Sequence, residues 1–353
     1  MPYVTGLTCR ECGRGYPAEA LHVCDFCFGP LEVSYDLDAV RASITRETVE
    51  AGPRTIWRWA DLLPASPPGA VDLGAGGTPL IRAERLAAEL GLGELWLKDD
   101  TRNPTGSFKD RVVSVALAKA RELGFKVAAC ASTGNLANSV AAHAARAGMR
   151  SIVFIPYDLE QAKITTTAVY GGTLVAIKGS YDDVNRLCAE LTSEQPTWAF
   201  VNVNVRTYYA EGSKTLAFEV AEQLGWQAPD HVVVPVASGS QLCKIDKGFR
   251  QLAEVGLIDE HPVRVSGAQA AGCSPVATAF ANGWETFKPQ RPNTIATLAR
   301  LAAEGVVRRD ERVVAYLTGN GLKTVEAVAP TVGPSATIEP TLAAFEADVT
   351  WEE

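Results

Sequence analysis

From Val127 onward the chain repeats one pattern, a short apolar run followed by a longer amphipathic stretch. The apolar runs fall at 127–131, 151–155, 173–177, 199–203, 231–236, 263–267 and 313–317, short enough to be buried strands. Segments with helical spacing of apolar residues separate several of them, at 136–147, 159–170, 182–193, 211–224 and 241–255. Glu94-Leu95-Trp96-Leu97-Lys98 adds an earlier strand. Strands alternating with helices imply a parallel sheet covered on both faces. Ligands of such sheets sit outside the carboxyl ends of the strands. The polar residues that follow each run are therefore where chemistry belongs.

After the strand at 94–98 come Asn103-Pro104, Thr105-Gly106 and Ser107, turn and helix-start signals. Val112, Val113, Ala116, Leu117 and Ala120 then recur at helical spacing, which puts Lys109 near a helix N-terminus. Unpaired amides and the helix dipole there favour a neutral amine, the form that attacks a carbonyl. A lone lysine on such a helix is more often merely solvated, so its neighbours must decide. The run 127–131 leads to Ser132-Thr133-Gly134-Asn135 and a helix from Leu136, which reads equally as an anion site or a plain N-cap. The run 231–236 leads to Ala237-Ser238-Gly239-Ser240 and another helix start, where small residues let backbone amides close on a phosphate. The run 313–317 leads to the turn-rich Thr318-Gly319-Asn320-Gly321-Leu322-Lys323.

Asn103-Pro-Thr-Gly-Ser-Phe-Lys-Asp-Arg111 resembles the lysine motif of the pyridoxal phosphate (PLP) dependent β-family, fold type II, and of the threonine synthases within it. Gly76-Gly-Thr-Pro-Leu80 is similar to that family's entry segment, and T-G-N-G-L-K to the terminal motif of threonine synthases. The resemblance implies two three-layer α/β domains of the tryptophan synthase β-like fold, with Lys109 holding PLP. It implies Asn135 on the phenolic oxygen, Ala237, Ser238, Gly239 and Ser240 around the phosphate, and Thr318 on the pyridine nitrogen. A neutral hydroxyl at that nitrogen does not hold it protonated, so the ring would be a weaker electron sink. Ser132 and Thr133 are expected on the substrate carboxylate. Arg206, whose bidentate fork suits a phosphate, and more weakly Lys163 are candidates for a phosphate on the substrate.

The N-terminus carries a second constellation. Cys9, Cys12, Cys24 and Cys27 form two C-x2-C pairs eleven residues apart, the spacing of a tetrahedral zinc ribbon. Two disulfides are the alternative, disfavoured in a reducing cytosol. With sulfur in all four positions the metal would be structural. Cys130, Cys188, Cys243 and Cys273 lie scattered in apolar segments, as free thiols do. The formal charge of -8 argues against nucleic-acid or membrane partners, and no apolar run reaches bilayer length. The start of the chain has no signal core, which leads us to expect a cytoplasmic protein.

The expected organisation is a ribbon at 1–35, a first part of a large domain at 36–110, a small domain at 111–205 and the rest of the large domain at 206–353. One departure stands out. In relatives several dozen residues separate a stretch like Asn293-Thr-Ile-Ala296 from a helix like Leu298–Glu304, and here the flanks are fused across Ala296–Leu298. The expected activity is conversion of O-phospho-L-homoserine and water to L-threonine and phosphate, by a homodimer as is common among such proteins. Threonine or serine dehydration, a β-replacement, or PLP binding without catalysis are the alternatives.

Overall fold

The computed structural model describes residues 3–269, 274–283 and 294–321. Residues Met1–Gly319 form one compact unit, and a second begins at Asn320. The first unit opens with β1 (Val4–Cys9), β2 (Gly15–Tyr16) and β3 (Leu31–Tyr35), an antiparallel sheet in the order β2-β1-β3. Two short helices follow, α1 (Leu37–Ser43) and α2 (Arg46–Glu50). Asp36 caps the first by accepting from the Ala39 amide, and Thr45 with Thr48 closes a capping box on the second. Next come β4 (Leu80–Arg82), α3 (Glu84–Glu89), β5 (Glu94–Asp99) and α4 (Lys109–Glu122).

The repeating pattern begins here. β6 (Val127–Ala131), α5 (Asn135–Ala147), β7 (Arg150–Pro156), α6 (Gln161–Ala168), β8 (Thr173–Ile177), α7 (Tyr181–Glu194) and β9 (Trp198–Phe200) alternate as the periodicity predicts. Their strands form a wholly parallel sheet in the order β8-β7-β6-β9. α8 (Arg206–Glu211), α9 (Lys214–Gln223), β10 (His231–Pro235), α10 (Ser240–Glu254), β11 (Arg264–Ala268), α11 (Pro275–Ala281), α12 (Thr294–Ala303) and β12 (Arg312–Leu317) complete the unit. The larger sheet runs β11-β10-β12-β5-β4, parallel except for β4.

Two elements depart from the periodicity, each for a tertiary reason. The apolar run at 199–203 is strand only as far as Phe200. Asn204 takes over there, its Oδ1 accepting from the Phe200 amide at 2.9 Å and its Nδ2 donating to the Trp198 carbonyl at 3.0 Å. The segment 211–224 is two helices, the first starting already at Arg206 and the break falling at Gly212-Ser213. Gly212 lies against the backbone of α4, where a Cβ would stand 2.6 Å from the Arg111 carbonyl oxygen, so no larger residue fits without displacing one helix.

β12 runs between β10 and β5 and pairs with β5 from Arg312↔Glu94 to Leu317↔Asp99. The carboxyl ends of three neighbouring strands thus deliver the turns at 236–239, 318–319 and 100–108 to one edge. Beneath that edge lies a buried ionic network. The Arg111 guanidinium donates to Asp100 Oδ2 at 2.7 Å and to Glu219 Oε1 at 2.6 Å, and Lys98 Nζ donates to Glu219 Oε2 at 2.7 Å. Thr78, in the Gly-Gly-Thr-Pro segment, completes it by donating to Asp100 Oδ1 at 2.7 Å. The network ties β5, α4 and α9 together two residues beyond Lys109. The fused stretch Ala296–Leu298 lies within α12, which is unbroken there and packs Leu298 into the core with Val233 and Val313. Pro292 and Asn293 lie outside the described residues, as do Cys273, Leu322 and Lys323. Among the described residues no helix is long and apolar enough to cross a membrane.

Candidate active site

Lys109 is the first residue of α4, and the loop before it is held from several sides. Asp110 accepts from the Thr105 amide at 2.7 Å, the Thr105 hydroxyl at 2.8 Å and the Ser139 hydroxyl at 2.7 Å. Ser107 forms a bridge with Gly319, and the Phe108 amide donates to the Thr318 carbonyl at 3.0 Å. The lysine loop and the turn after β12 are therefore one hydrogen-bonded unit. Asn135, the first residue of α5, packs against Gly319, where a Cβ would lie 2.8 Å from its Nδ2.

A cavity of about 220 Å³ opens beside this unit. Lys109, Tyr209 and Thr318 line it together with Ala237, Ser238, Gly239 and Ser240, and Asn135 does not itself line it. Lys109 Nζ donates to the Tyr209 hydroxyl at 2.8 Å. α10 starts at the cavity with Gly239 in the left-handed region, φ 81°, and no side chain caps its first turn. Gln241 also lines the cavity, and its buried Nε2 has no hydrogen-bond partner among the described residues. Uncapped amides at the start of a fifteen-residue helix, two serine hydroxyls and an orphaned amide donor make a cradle for an anion such as a phosphate.

The start of α5 is arranged differently. The Ser132 hydroxyl accepts from the Gly134 amide at 3.3 Å and the Ala137 amide at 3.2 Å, so it closes the helix start on itself. Neither Ser132 nor Thr133 lines the cavity, and the same holds for the two cationic candidates. Arg206 is exposed at the start of α8, where its charge, after burial, holds the His22 imidazole below its ordinary pKa. Lys163 is buried and pairs with Glu160 at 2.7 Å. Among the described lining residues Lys109 is the one cation.

Sequence reasoning did not single out Tyr209, Ser213 or Gln241. Tyr209 lies on α8 and Ser213 at the break before α9, so no single helical face marks them as neighbours. Nothing local marks Tyr209 as a partner of a residue one hundred positions away.

A second cluster lies in the N-terminal sheet. The Sγ atoms of Cys9, Cys12, Cys24 and Cys27 all fall within 4.8 Å of one another, with Cys9 and Cys27 3.5 Å apart and Cys12 and Cys24 3.6 Å apart. Four thiolates about 2.3 Å from a tetrahedral zinc would stand about 3.8 Å apart, so the four sulfurs fit that ion.

Residues 71–328 match the family of pyridoxal-phosphate dependent enzymes, and residues 8–32, which hold the four cysteines, match the NinF protein family. The threonine synthase of Methanocaldococcus jannaschii is 33% identical over 380 residues, covering 90% of this chain and 93% of the relative. That aligned span exceeds the 353 residues of the chain, so the relative carries residues with no counterpart here. The threonine synthase of Methanosarcina acetivorans is 36% identical, covering 84% of this chain and 72% of the relative. Among solved structures, diaminopropionate ammonia lyase from Escherichia coli superposes with a TM-score of 0.60 at 16% identity, covering 73% of this chain and 88% of that one. Threonine deaminase from Solanum lycopersicum gives 0.57 at 19% identity, with 72% and 84% covered. At such identities these two show a common fold.

Proposed function

The chain belongs to the pyridoxal-phosphate dependent enzymes, among the threonine synthases, and on that footing we propose that it converts O-phospho-L-homoserine and water to L-threonine and phosphate. The observation that carries this reading is the meeting of the Lys109 amine, the Thr318 hydroxyl and the uncapped start of α10 around one cavity. PLP, when bound, supplies an electron sink next to the amino acid's α-carbon. The chain's own residues fit its parts. The amides of 239–241 with Ser238 and Ser240 suit the phosphate, and the neutral Thr318 hydroxyl suits the ring nitrogen. Asn135, beside Thr318-Gly319, suits the phenolic oxygen. Lys109 would hold the cofactor, and its amine would move protons at the substrate's α- and β-carbons. Ser132 and Thr133 remain our assignment for the substrate carboxylate, with the Ser132 hydroxyl then sharing its capping bonds.

One observation favours a second reading. Arg206 and Lys163 both lie off the cavity, so the clamp expected for a substrate phosphate has no cation at hand among the described residues. Dehydration of serine or threonine, or a β-replacement, needs no such clamp. Purified holoenzyme should release inorganic phosphate from O-phospho-L-homoserine and form L-threonine. Formation of an oxo-acid and ammonia from L-serine or L-threonine, with no phosphate release, would establish the second reading instead.

The four cysteines would hold one structural zinc, which elemental analysis of the purified protein should find at one ion per chain. Two copies assembling as a dimer, and a cytoplasmic location, complete the proposal. Size-exclusion chromatography with light scattering tests the first, and fractionation of the source cells the second.

A further inference from the structure

α8 is bonded on one side to the N-terminal ribbon and on the other to Lys109. Thr207 Oγ1 donates to the Leu21 carbonyl at 3.0 Å, and the Tyr208 hydroxyl donates to the Glu19 carbonyl at 2.6 Å. At the far end of the helix Tyr35, on β3, donates to Glu211 Oε2 at 2.9 Å. Between these anchors stands Tyr209, whose hydroxyl accepts from Lys109 Nζ at 2.8 Å. The ribbon also reaches α10, because Glu32 on β3 accepts from Lys244 at 3.0 Å and from Lys247 at 3.4 Å.

We propose that Tyr209 positions the Lys109 amine for reaction, and that the ribbon fixes Tyr209 through the bonds of Thr207 and Tyr208. The inference rests on the reading that Lys109 is the working amine. A helix of six residues is marginal by itself, so its place is set by what it is tied to. A lysine side chain turns about several single bonds, and its amine needs one fixed partner to face the reacting carbon. With an Nζ–H given to Tyr209, the nitrogen is held at one place beside the cavity. Misplacing a reacting group by about 1 Å costs on the order of 100-fold in rate. Tyr209 thereby acts through Lys109, with no net proton passing to the phenol.

The test compares holoenzyme variants. Tyr209→Phe keeps the ring and removes the hydroxyl, and should lower kcat roughly 10- to 100-fold while KM and cofactor affinity stay within about 3-fold. Thr207→Val with Tyr208→Phe should lower kcat in the parent background and add little to Tyr209→Phe, because both act on one contact. A second readout needs no turnover. The change in cofactor absorbance on rapid mixing with L-serine or L-threonine, which reports displacement of Lys109, should slow in Tyr209→Phe. If the parent enzyme releases no phosphate from O-phospho-L-homoserine, the substrate reading fails and the displacement rate still decides the role of Tyr209. Parent-like kcat and displacement rate in Tyr209→Phe would overturn the proposal. Full additivity of the ribbon-side pair with Tyr209→Phe would separate the ribbon from it and overturn that part.

Discussion

α5 and α10 both follow a buried parallel strand, and both begin in a turn of serine and glycine, Ser132-Thr133-Gly134 before one and Ala237-Ser238-Gly239 before the other. At α5 the Ser132 hydroxyl accepts from the Gly134 amide and from Ala137, the third helical residue, so that end is satisfied in part from within. At α10, among the described residues, no side chain caps the first turn, Gly239 turns left-handed, and Gln241, whose Nε2 has no partner there, lines the cavity. The same local sequence signal thus comes with a serine bonded to its own helix start in one place and with no such bond in the other. What decides is whether an oxygen of the turn itself occupies the position that a ligand oxygen would take.

A lesion in the ionic network beneath the larger sheet acts on stability rather than on either turn, and it should have the largest effect. Glu219→Gln leaves Arg111 and Lys98 buried with one carboxylate fewer, and should cost about 3–5 kcal/mol in urea unfolding. Burial alone would raise the Glu219 pKa, but Arg111 and Lys98 overcome it and hold the carboxyl below its ordinary range. A carboxylate with a depressed folded pKa lends stability that is present above its unfolded value, about 4.3, and lost as pH falls below it. The parent protein should therefore lose stability faster below about pH 4.3 than Glu219→Gln does. Parallel acid profiles would show that the network contributes nothing to folding.

Ser240→Asp separates the two turns. It places a carboxylate where the cofactor phosphate is expected, while suiting the first turn of a helix. Cofactor affinity should fall roughly 100-fold, about 2.7 kcal/mol, with the melting temperature of the cofactor-free protein unchanged or raised. Ser132→Asp, whose carboxylate can take over the cap, should leave cofactor affinity within about 3-fold. Equal losses in both variants would erase the difference drawn between the turns.

The smallest effect belongs to Ser132→Ala. Losing the cap should cost about 1 kcal/mol of stability. A KM that stays at the parent value would make the hydroxyl purely a cap. A raised KM with little loss of stability would support the assignment of Ser132 to the substrate carboxylate and sharpen the comparison into one of two binding turns.

Much of this arrangement is written locally. The apolar runs and the helical spacing between them from Val127 to Leu317 place the strands and helices because a parallel sheet buries whole apolar runs. The turns at 132–135, 237–240 and 318 follow their strands for the same reason. What is not local is which turns meet. The insertion of β12 between β10 and β5 brings Thr318 to Lys109, which only the family motif T-G-N-G-L-K, and no local propensity, foreshadows. The early end of β9 depends on Asn204 folding back to Phe200 and Trp198, and the break after α8 on the backbone of α4. Arg206 carried the obvious chemical signal in its segment, yet it is Tyr209 that reaches Lys109. Charge type is readable from a sequence, whereas the side of a six-residue helix that faces a cavity depends on its anchors.

The central claim is that Lys109 holds the cofactor. Borohydride reduction of the holoenzyme, followed by peptide mass mapping, tests it most directly, since reduction fixes the cofactor to the lysine that carries it. The account predicts a pyridoxyl phosphate group on the peptide containing Lys109 and on no other. The same group on Lys98, Lys163 or any other lysine, or none at all in protein that retains the cofactor, would contradict it.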